Sequence, residues 1–145
     1  MTLEEINEMW AVDARISETD LGGEALKIPK LHNKYYTLYV KEALRVKKLK
    51  ADLKELEMAK YEYYTGTMAE EDLKARGWKP NPLKIMKSEV SRYIESDKDV
   101  IATSLKIDYH SSTASYLEDI VRQINNRNFV IKSAIDWAKF QSGGI

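Results

Sequence analysis

Apolar residues recur every three or four positions along most of the segment from Leu26 to Thr65. This spacing predicts an α-helix. An unbroken helix of roughly 40 residues would be about 60 Å long, more than one small core can cover, so we expect other helices to pack along it. The periodic residues are Leu31, Tyr35, Tyr39, Ala43, Val46, Leu49, Leu53, Leu56 and Tyr63, with one turn skipped at Lys60.

Capping signals predict a further helix before this segment. Thr2 and Glu5 have the spacing of a capping box, which predicts a helix from Leu3 to Ile16. A turn is expected from Ser17 to Gly23. Because proline fits the first turn of a helix but not its interior, we expect a kink near Pro29 or a helix start just before it.

Two shorter helices are predicted after the long one. A second possible capping box, Thr67 with Glu70, predicts a helix from Met68 to Arg76 that ends at Gly77. The proline-containing stretch that follows predicts a surface loop, and a helix is expected from Leu83 to Glu95.

The C-terminal part predicts two more helices. Ser96 has the character of an N-cap for a helix that starts at Asp97 and continues to about Asn125. We expect Asn125 and Asn126 to interrupt it, and a last helix to occupy residues 128–141. Apolar residues point nearly all round that last helix, which predicts burial between subunits. The residues predicted to mediate oligomerisation are Phe129, Val130, Ile131, Ala134, Ile135, Trp137 and Phe140.

Together these elements predict an all-α chain, with one long antiparallel-packing helical rod and C-terminal helices. The length of 145 residues fits a single domain, residues 1–145. Its predicted parts are an acidic N-terminal arm, a long basic helix, a basic loop with a short helix, and oligomerisation helices, at residues 1–24, 25–65, 66–87 and 88–145.

The formal net charge is zero, but the charges are divided along the chain. Residues 1–24 carry seven acids and one base, residues 25–60 carry ten bases and four acids, and residues 61–145 carry twelve of each. Such asymmetry suggests a polyanionic partner or head-to-tail association of subunits. A solvated helix face would explain the same charges without any partner.

Basic and aromatic residues occur together around the end of the long helix. Tyr61, Tyr63 and Tyr64 close the basic segment, and Trp78 lies in a stretch from Leu73 to Ser88 that has five bases and no acid. Single-stranded nucleic acid uses this mixture, because cations follow its phosphates and aromatic rings stack on its bases at about 1–3 kcal/mol each. Tyr63 continues the apolar stripe of the helix, which favours a packing position over base stacking, whereas Trp78 suits either role about equally. The candidate binding residues are Lys50, Lys54, Lys60, Lys74, Arg76, Trp78, Lys79, Lys84 and Lys87.

Catalytic and metal-binding patterns are not found in the sequence. There is no cysteine, and His32 and His110 have no carboxylate at metal-ligand spacing. No glycine-rich phosphate loop or apolar run of membrane-spanning length occurs, and the acidic N-terminus is unlike a signal peptide. We therefore expect no enzyme, no metal, no cofactor and no membrane association, in a cytoplasmic protein.

Three segments, in order, resemble the UvsY recombination mediators of T-even-like phages. They are AKYEYYTG at 59–66, the stretch at 87–107, and the stretch at 124–143. The resemblance covers most of residues 40–143, and the order and spacing of short motifs carry it. Those motifs are Tyr63-Tyr64-Thr65-Gly66, Lys87-Ser88-Glu89, Asp97-Lys98-Asp99-Val100 and Arg127-Asn128-Phe129-Val130-Ile131-Lys132.

This resemblance implies a non-enzymatic, ring-like homo-oligomer, a hexamer or heptamer, that binds single-stranded DNA. It would destabilise the coat of phage single-strand-binding protein and promote loading of the phage recombinase into presynaptic filaments, in the cytoplasm of the infected bacterial host. The family's Lys-Ala-Arg DNA-binding motif is Met58-Ala59-Lys60 here, so only Lys60 carries over directly. Lys50, Lys54 or the loop bases at 74–87 would then supply the missing charge.

An alternative from another class is a structural helical adaptor. Such a protein joins other proteins without binding nucleic acid, and its charges serve solubility and helix register. Saturable, salt-dependent binding of an oligonucleotide would distinguish the two functions.

Overall fold

The computed structural model describes residues 1–81 and 83–143, which form α-helices and no strand. The prediction of an all-α chain with long helices is confirmed. The helices are α1 (Leu3–Asp13), α2 (Leu21–Leu26), α3 (Ile28–Thr65), α4 (Glu70–Arg76), α5 (Val90–Glu95) and α6 (Lys98–Gln141).

The helices form two compact units, and the long helices α3 and α6 contribute residues to both. The first unit contains Met1–Ala43 and the described residues from Ser112 onward, and the second contains Leu44–Ser111.

The core of the first unit is built from α1, α3 and α6. Trp10 meets the ring of Tyr35 edge to face, with the ring centroids 5.3 Å apart. The Tyr35 hydroxyl donates to Asp13 at 2.8 Å, so this buried aromatic residue keeps its polar end satisfied. The fully buried members of the core are Ile6, Tyr35, Leu117, Ile120 and Ile124.

A buried arginine ties the turn before α2 to helix α6. Arg127 donates to the carbonyl of Arg15 at 2.9 Å and to the Glu24 carboxylate at 3.3 Å. Burial by itself would raise the pKa of Glu24, but the hydrogen bonds from Lys27 and Arg127 outweigh it and hold that pKa below its ordinary value. The turn is thus fastened to α6 by one side chain.

The N-terminal capping prediction is confirmed. The Thr2 hydroxyl accepts from the Glu5 amide at 3.2 Å, and the Glu5 carboxylate accepts from the Thr2 amide at 3.0 Å. Helix α3 starts at Ile28, which places Pro29 in its first turn as expected. The predicted turn is shorter than expected, because Asp20 caps α2 through the Gly23 amide and the helix begins at Leu21.

The predicted break at Asn125 and Asn126 is wrong, since α6 runs without interruption from Lys98 to Gln141. Both asparagines are exposed, and their poor helix propensity costs no more than about 0.7 kcal/mol each. The opposite face of α6 is buried both before and after the two asparagines. Its buried residues there are Leu117, Ile120, Ile124, Arg127 and Ile131. Burial of that continuous face outweighs the local propensity.

Two helices in the second unit are shorter than predicted. Helix α4 begins at Glu70 without a side-chain cap, because the Thr67 hydroxyl lies near the Glu62 carbonyl at 3.4 Å instead. It ends at Gly77, whose positive φ of 71° confirms the predicted stop. The helix predicted from Leu83 to Glu95 forms only at Val90–Glu95.

Candidate nucleic-acid interface

Aromatic rings gather at the C-terminal end of α3. Tyr63 packs edge to face against both Tyr64 and Trp78, with centroid separations of 5.2 and 5.4 Å. Tyr64 also contacts Tyr93 of α5, with the centroids 5.7 Å apart. These four side chains are named the aromatic cluster. Its members belong to α3, α5 and the loop after α4, so the cluster joins these elements inside the second unit.

Lys60 is buried beside the aromatic cluster, with 5% of its surface exposed. Its ammonium lies 3.2 Å from a carboxylate oxygen of Asp97 and 2.9 Å from one of Asp99. The same ammonium lies 3.9 Å from the centroid of the Trp78 ring, a cation–π distance. Lys60 was predicted to bind DNA, and the structure places its charge between two carboxylates and an indole.

Asp97 connects this lysine to the start of α6. Its carboxylate accepts from the Tyr64 hydroxyl at 2.6 Å and from the Asp99 and Val100 amides at 2.9 and 3.2 Å. Asp97 is therefore the N-cap of α6, where Ser96 was predicted. Burial alone would raise the pKa of Asp97, but these hydrogen bonds and Lys60 outweigh it and hold the pKa below its ordinary value. Burial and the bond to Asp97 raise the pKa of the Tyr64 hydroxyl.

The basic loop after α4 is attached to the aromatic cluster at several points. The Tyr63 hydroxyl donates to the Lys79 carbonyl at 2.7 Å, and the Ile85 amide donates to the Tyr64 carbonyl at 2.9 Å. A Cβ placed at Gly66 would lie 3.0 Å from Cγ of Lys84, so the lysine stem lies close over this glycine. These contacts hold the loop against the end of α3.

Four cations, one at the last residue of α4 and three in the loop after it, are exposed and have no carboxylate within ion-pair distance among residues 1–81 and 83–143. They are named the loop cations: Arg76, Lys79, Lys84 and Lys87. Lys74 is exposed as well, and its ammonium lies 4.0 Å from Glu70, which is a weak surface contact. Without neighbouring acids, the loop cations keep their full attraction for an anion.

Trp78 lies between Arg76 and Lys79 and remains partly exposed. The guanidinium carbon of Arg76 lies 5.1 Å from the centroid of the indole. The structure thus brings together a partly exposed aromatic ring and two unpaired cations within four residues.

The segment Met58-Ala59-Lys60, which corresponds to the family's Lys-Ala-Arg motif, is only partly exposed in this chain. Met58 is 61% exposed, whereas Ala59 and Lys60 are buried. The predicted binding residues Lys50 and Lys54 are exposed on α3, and Lys54 lies at the rim of a shallow apolar depression formed with Met58, Tyr61, Glu57 and Ile94. The exposed positive charge near the motif therefore comes from the turns of α3 before it.

The predicted oligomerisation residues separate into two groups. Ile131 is 2% exposed and belongs to the interior of the first unit, and Ala134 and Ile135 are half-buried. The other four are exposed and apolar on α6: Phe129, Val130, Trp137 and Phe140. The rings of Trp137 and Phe140 stack with a centroid separation of 5.5 Å.

The two acids that pair with Lys60 were not predicted as part of the site. Asp97 and Asp99 were recognised only as part of a helix-start motif, and they follow Lys60 by more than 35 residues in the chain. The motif itself was a usable signal, since a buried N-cap carboxylate often pairs with a cation.

In the described part of the chain, no three histidine, cysteine or acidic side chains could hold a metal ion. Nor does any described helix have the length and apolar character needed to cross a bilayer.

Comparisons with known proteins agree with the fold. The chain is 24% identical to the recombination protein UvsY of Enterobacteria phage T4 over 143 residues, 99% of both chains. Its fold matches two crystal structures of the bacteriophage T4 recombination mediator protein UvsY. Lattice type II gives a TM-score of 0.81 at 24% identity, covering 98% of each chain. Lattice type IV gives 0.82 at 22% identity, covering 97% of this chain and 99% of that one.

The family model that matches is described as recombination, repair and ssDNA binding protein UvsY, and it matches residues 9–144. That range includes the aromatic cluster, the loop cations and the exposed apolar residues of α6. The chain therefore belongs to the UvsY family of recombination, repair and single-stranded-DNA-binding proteins.

Proposed function

We propose that this protein is a recombination mediator. It binds single-stranded DNA, destabilises the coat of phage single-strand-binding protein, and promotes loading of the phage recombinase into presynaptic filaments. It acts as a ring-like homo-oligomer, a hexamer or heptamer, in the cytoplasm of the infected bacterial host. Membership of the UvsY family supports this proposal, and the observation that carries it is the set of exposed, unpaired loop cations, of which Arg76 lies against Trp78.

The loop cations account for affinity. Each cation that meets a phosphate releases a condensed counterion, which favours binding to any sequence. Lys50 and Lys54, exposed on α3, extend the positive surface toward the family motif, and Lys74 adds to it from α4. Trp78 contributes by stacking on a base, because its ring is partly exposed between Arg76 and Lys79.

Oligomerisation multiplies this weak interaction. Phe129, Val130, Trp137 and Phe140 expose apolar surface that a neighbouring subunit would cover, with the half-buried Ala134 and Ile135 beside them. Several copies on one particle then hold the same strand, and the effective concentration of each further site becomes high. A strand held at several points bends between them, which weakens its contacts with the coat protein.

A filament-loading assay tests the mediator step. Single-stranded DNA is first coated with the phage single-strand-binding protein, and recombinase ATPase activity is followed after addition of the mediator. The wild-type protein should shorten the lag before ATPase activity appears. The variant K79A/K84A/K87A should leave the lag as long as it is without mediator.

The matched control is K106A/K132A/K139A, which removes three exposed lysines of α6 that have no ion-pair partner among the described residues. It should behave as the wild type does. If both triple variants shorten the lag normally, the loop cations do not carry the function. A structural adaptor would give no saturable oligonucleotide binding and no change in the lag.

A further inference from the structure

Lys60 occupies the one charged position of the family DNA-binding motif that this chain keeps, yet its ammonium is not free to meet a phosphate. Its side chain is 7% exposed and lies within 3.2 Å of Asp97 and 2.9 Å of Asp99. A phosphate contact would require the lysine to leave both carboxylates, and a buried aspartate left without its cation is unfavourable. A direct role in binding the strand is therefore not supported by this geometry.

The ammonium of Lys60 instead faces Trp78. It lies 3.9 Å from the centre of the indole, and Tyr63 packs edge-on against the same ring. A cation over an aromatic face is attracted to it most strongly where water is excluded. Because Asp97 caps α6 and accepts from Tyr64, the lysine is held to a rigid helix start.

We propose that Lys60 is a positioning residue for single-stranded DNA: it fixes the segment 76–79 through the indole of Trp78, so that Arg76 and Lys79 face the unpaired strand. The inference rests on the proposed function. It assigns to Lys60 a contribution to affinity that passes through Trp78, with no phosphate contact of its own. Asp97 and Asp99 take part by fixing the position of the lysine.

A double-mutant cycle on the full-length protein distinguishes this role from direct phosphate binding. The variants are K60M, W78L and K60M/W78L, and binding of a fluorescein-labelled oligothymidylate is measured by anisotropy. Loss of a partly desolvated cation–π contact should weaken binding by about 3- to 30-fold in K60M. W78L should weaken binding by more than K60M, because it also removes the stacking of the indole on a base. If Lys60 acts through Trp78, the double variant should bind within about twofold of W78L.

Independent effects would contradict the inference. If the loss in the double variant equals the product of the two single losses, Lys60 contacts the strand itself. The conservative variant K60R should bind within about threefold of wild type, because its guanidinium can pair with the carboxylates and stack on the indole. A K60R loss as large as that of K60M would overturn the positioning role.

Fluorescence of Trp78 provides a readout that loss of a phosphate contact would not change. In a W10F/W137F background the emission comes from Trp78 alone, since the chain has three tryptophans. Replacing Lys60 by Met should increase acrylamide quenching of that emission in the absence of DNA, and K60R should not. If acrylamide quenches Trp78 equally in K60M and in the protein that keeps Lys60, the inference is wrong.

A milder variant keeps the test valid if K60M folds poorly. The Asp99 side chain is 57% exposed, so D99N removes one partner of Lys60 with little cost to the fold. It should increase quenching of Trp78 and weaken oligonucleotide binding in the same direction, by less than K60M. Wild-type protein that fails to bind the oligonucleotide at all would reject the proposed function, whereas wild-type binding with additive variants rejects only the role of Lys60.

Discussion

Replacing Arg127 by methionine should destabilise the first unit more than any surface charge does. Met keeps the unbranched stem but removes the donors that reach the turn before α2. The bond from Arg127 to the Arg15 carbonyl is 2.9 Å long and partly buried, and a hydrogen bond to a charged group contributes about 1.5–3 kcal/mol. The 3.5 Å contact with the Ala14 carbonyl is too long to add much. The bond to Arg15 alone predicts a loss of about 2 kcal/mol.

The assay is urea unfolding followed by circular dichroism, with the midpoint read at constant protein concentration. With a denaturant slope of about 2 kcal/mol per M, the R127M midpoint should fall by about 1 M. The matched control is R122M, five residues earlier on α6, where the arginine is 69% exposed and, within the described residues, pairs with Glu118 and Asp119 on the helix surface. A surface pair of this kind contributes at most about 1 kcal/mol, so its midpoint should fall by less than about 0.5 M.

The variant R127K separates charge from geometry. Lysine keeps the charge near Glu24, but its ammonium cannot reproduce the planar fork that reaches both the carboxylate and the Arg15 carbonyl. We expect a midpoint between those of R127M and the wild type. If R127M and R122M unfold at the same urea concentration, the buried arginine does not fasten the turn to α6 and the reasoning is refuted.

Two further predictions concern acid stability and self-association. Burial alone would raise the pKa values of Asp13 and Asp97, but hydrogen bonds outweigh it and hold both pKa values below the ordinary value of 3.8. The stability that the two ionised carboxylates add is therefore complete above about pH 4 and is lost as the pH falls through the lowered pKa values. Urea midpoints measured from pH 7 to pH 2.5 should show this loss, and the midpoint of D97N should fall less steeply with pH. Acidic residues at Trp137 and Phe140 (W137E/F140E) should reduce the sedimentation coefficient toward that of a monomer, whereas L26E, at an even more exposed leucine of α2, should not. An unchanged coefficient in W137E/F140E would remove this surface from the oligomer contact.

Periodicity and capping signals were sufficient to predict the long helix and the all-α class. Helix α3 carries its apolar residues at regular spacing, and Pro29 and Gly66 mark its two ends as local chemistry requires. The continuity of α6 could not be predicted in the same way. Asn125 and Asn126 look like a break locally, and only the burial of Ile124 and Arg127 on the opposite face explains why the helix continues.

The candidate site was predicted as a region but not in its internal arrangement. The acid-free charge of the loop and the clustered tyrosines were visible in the sequence, and the structure places them together. Lys60 looked like any other lysine of the basic helix, because its two carboxylate partners lie far along the chain. Burial of one charge within a row of similar charges depends on tertiary contacts, which a local pattern does not contain.

The exposed apolar residues of α6 show a similar limit. Sequence reasoning treated Phe129 to Phe140 as one oligomerisation surface, because apolar residues surround the helix. The structure assigns Ile131 to the interior of its own unit and leaves Trp137 and Phe140 exposed. Hydropathy indicates that a residue tends to be buried, but it does not show whether the same subunit or a neighbouring one covers it.

The most direct test of the central claim, that the loop cations bind the phosphates of an unpaired strand, is the salt dependence of oligonucleotide affinity. For the wild type, the logarithm of the association constant should fall linearly with the logarithm of salt concentration. Each lysine of K79A/K84A/K87A that contacts a phosphate should flatten the slope by about 0.7, or about 2 for all three. K106A/K132A/K139A should keep the wild-type slope. Equal slopes for the wild type and both triple variants would contradict the account.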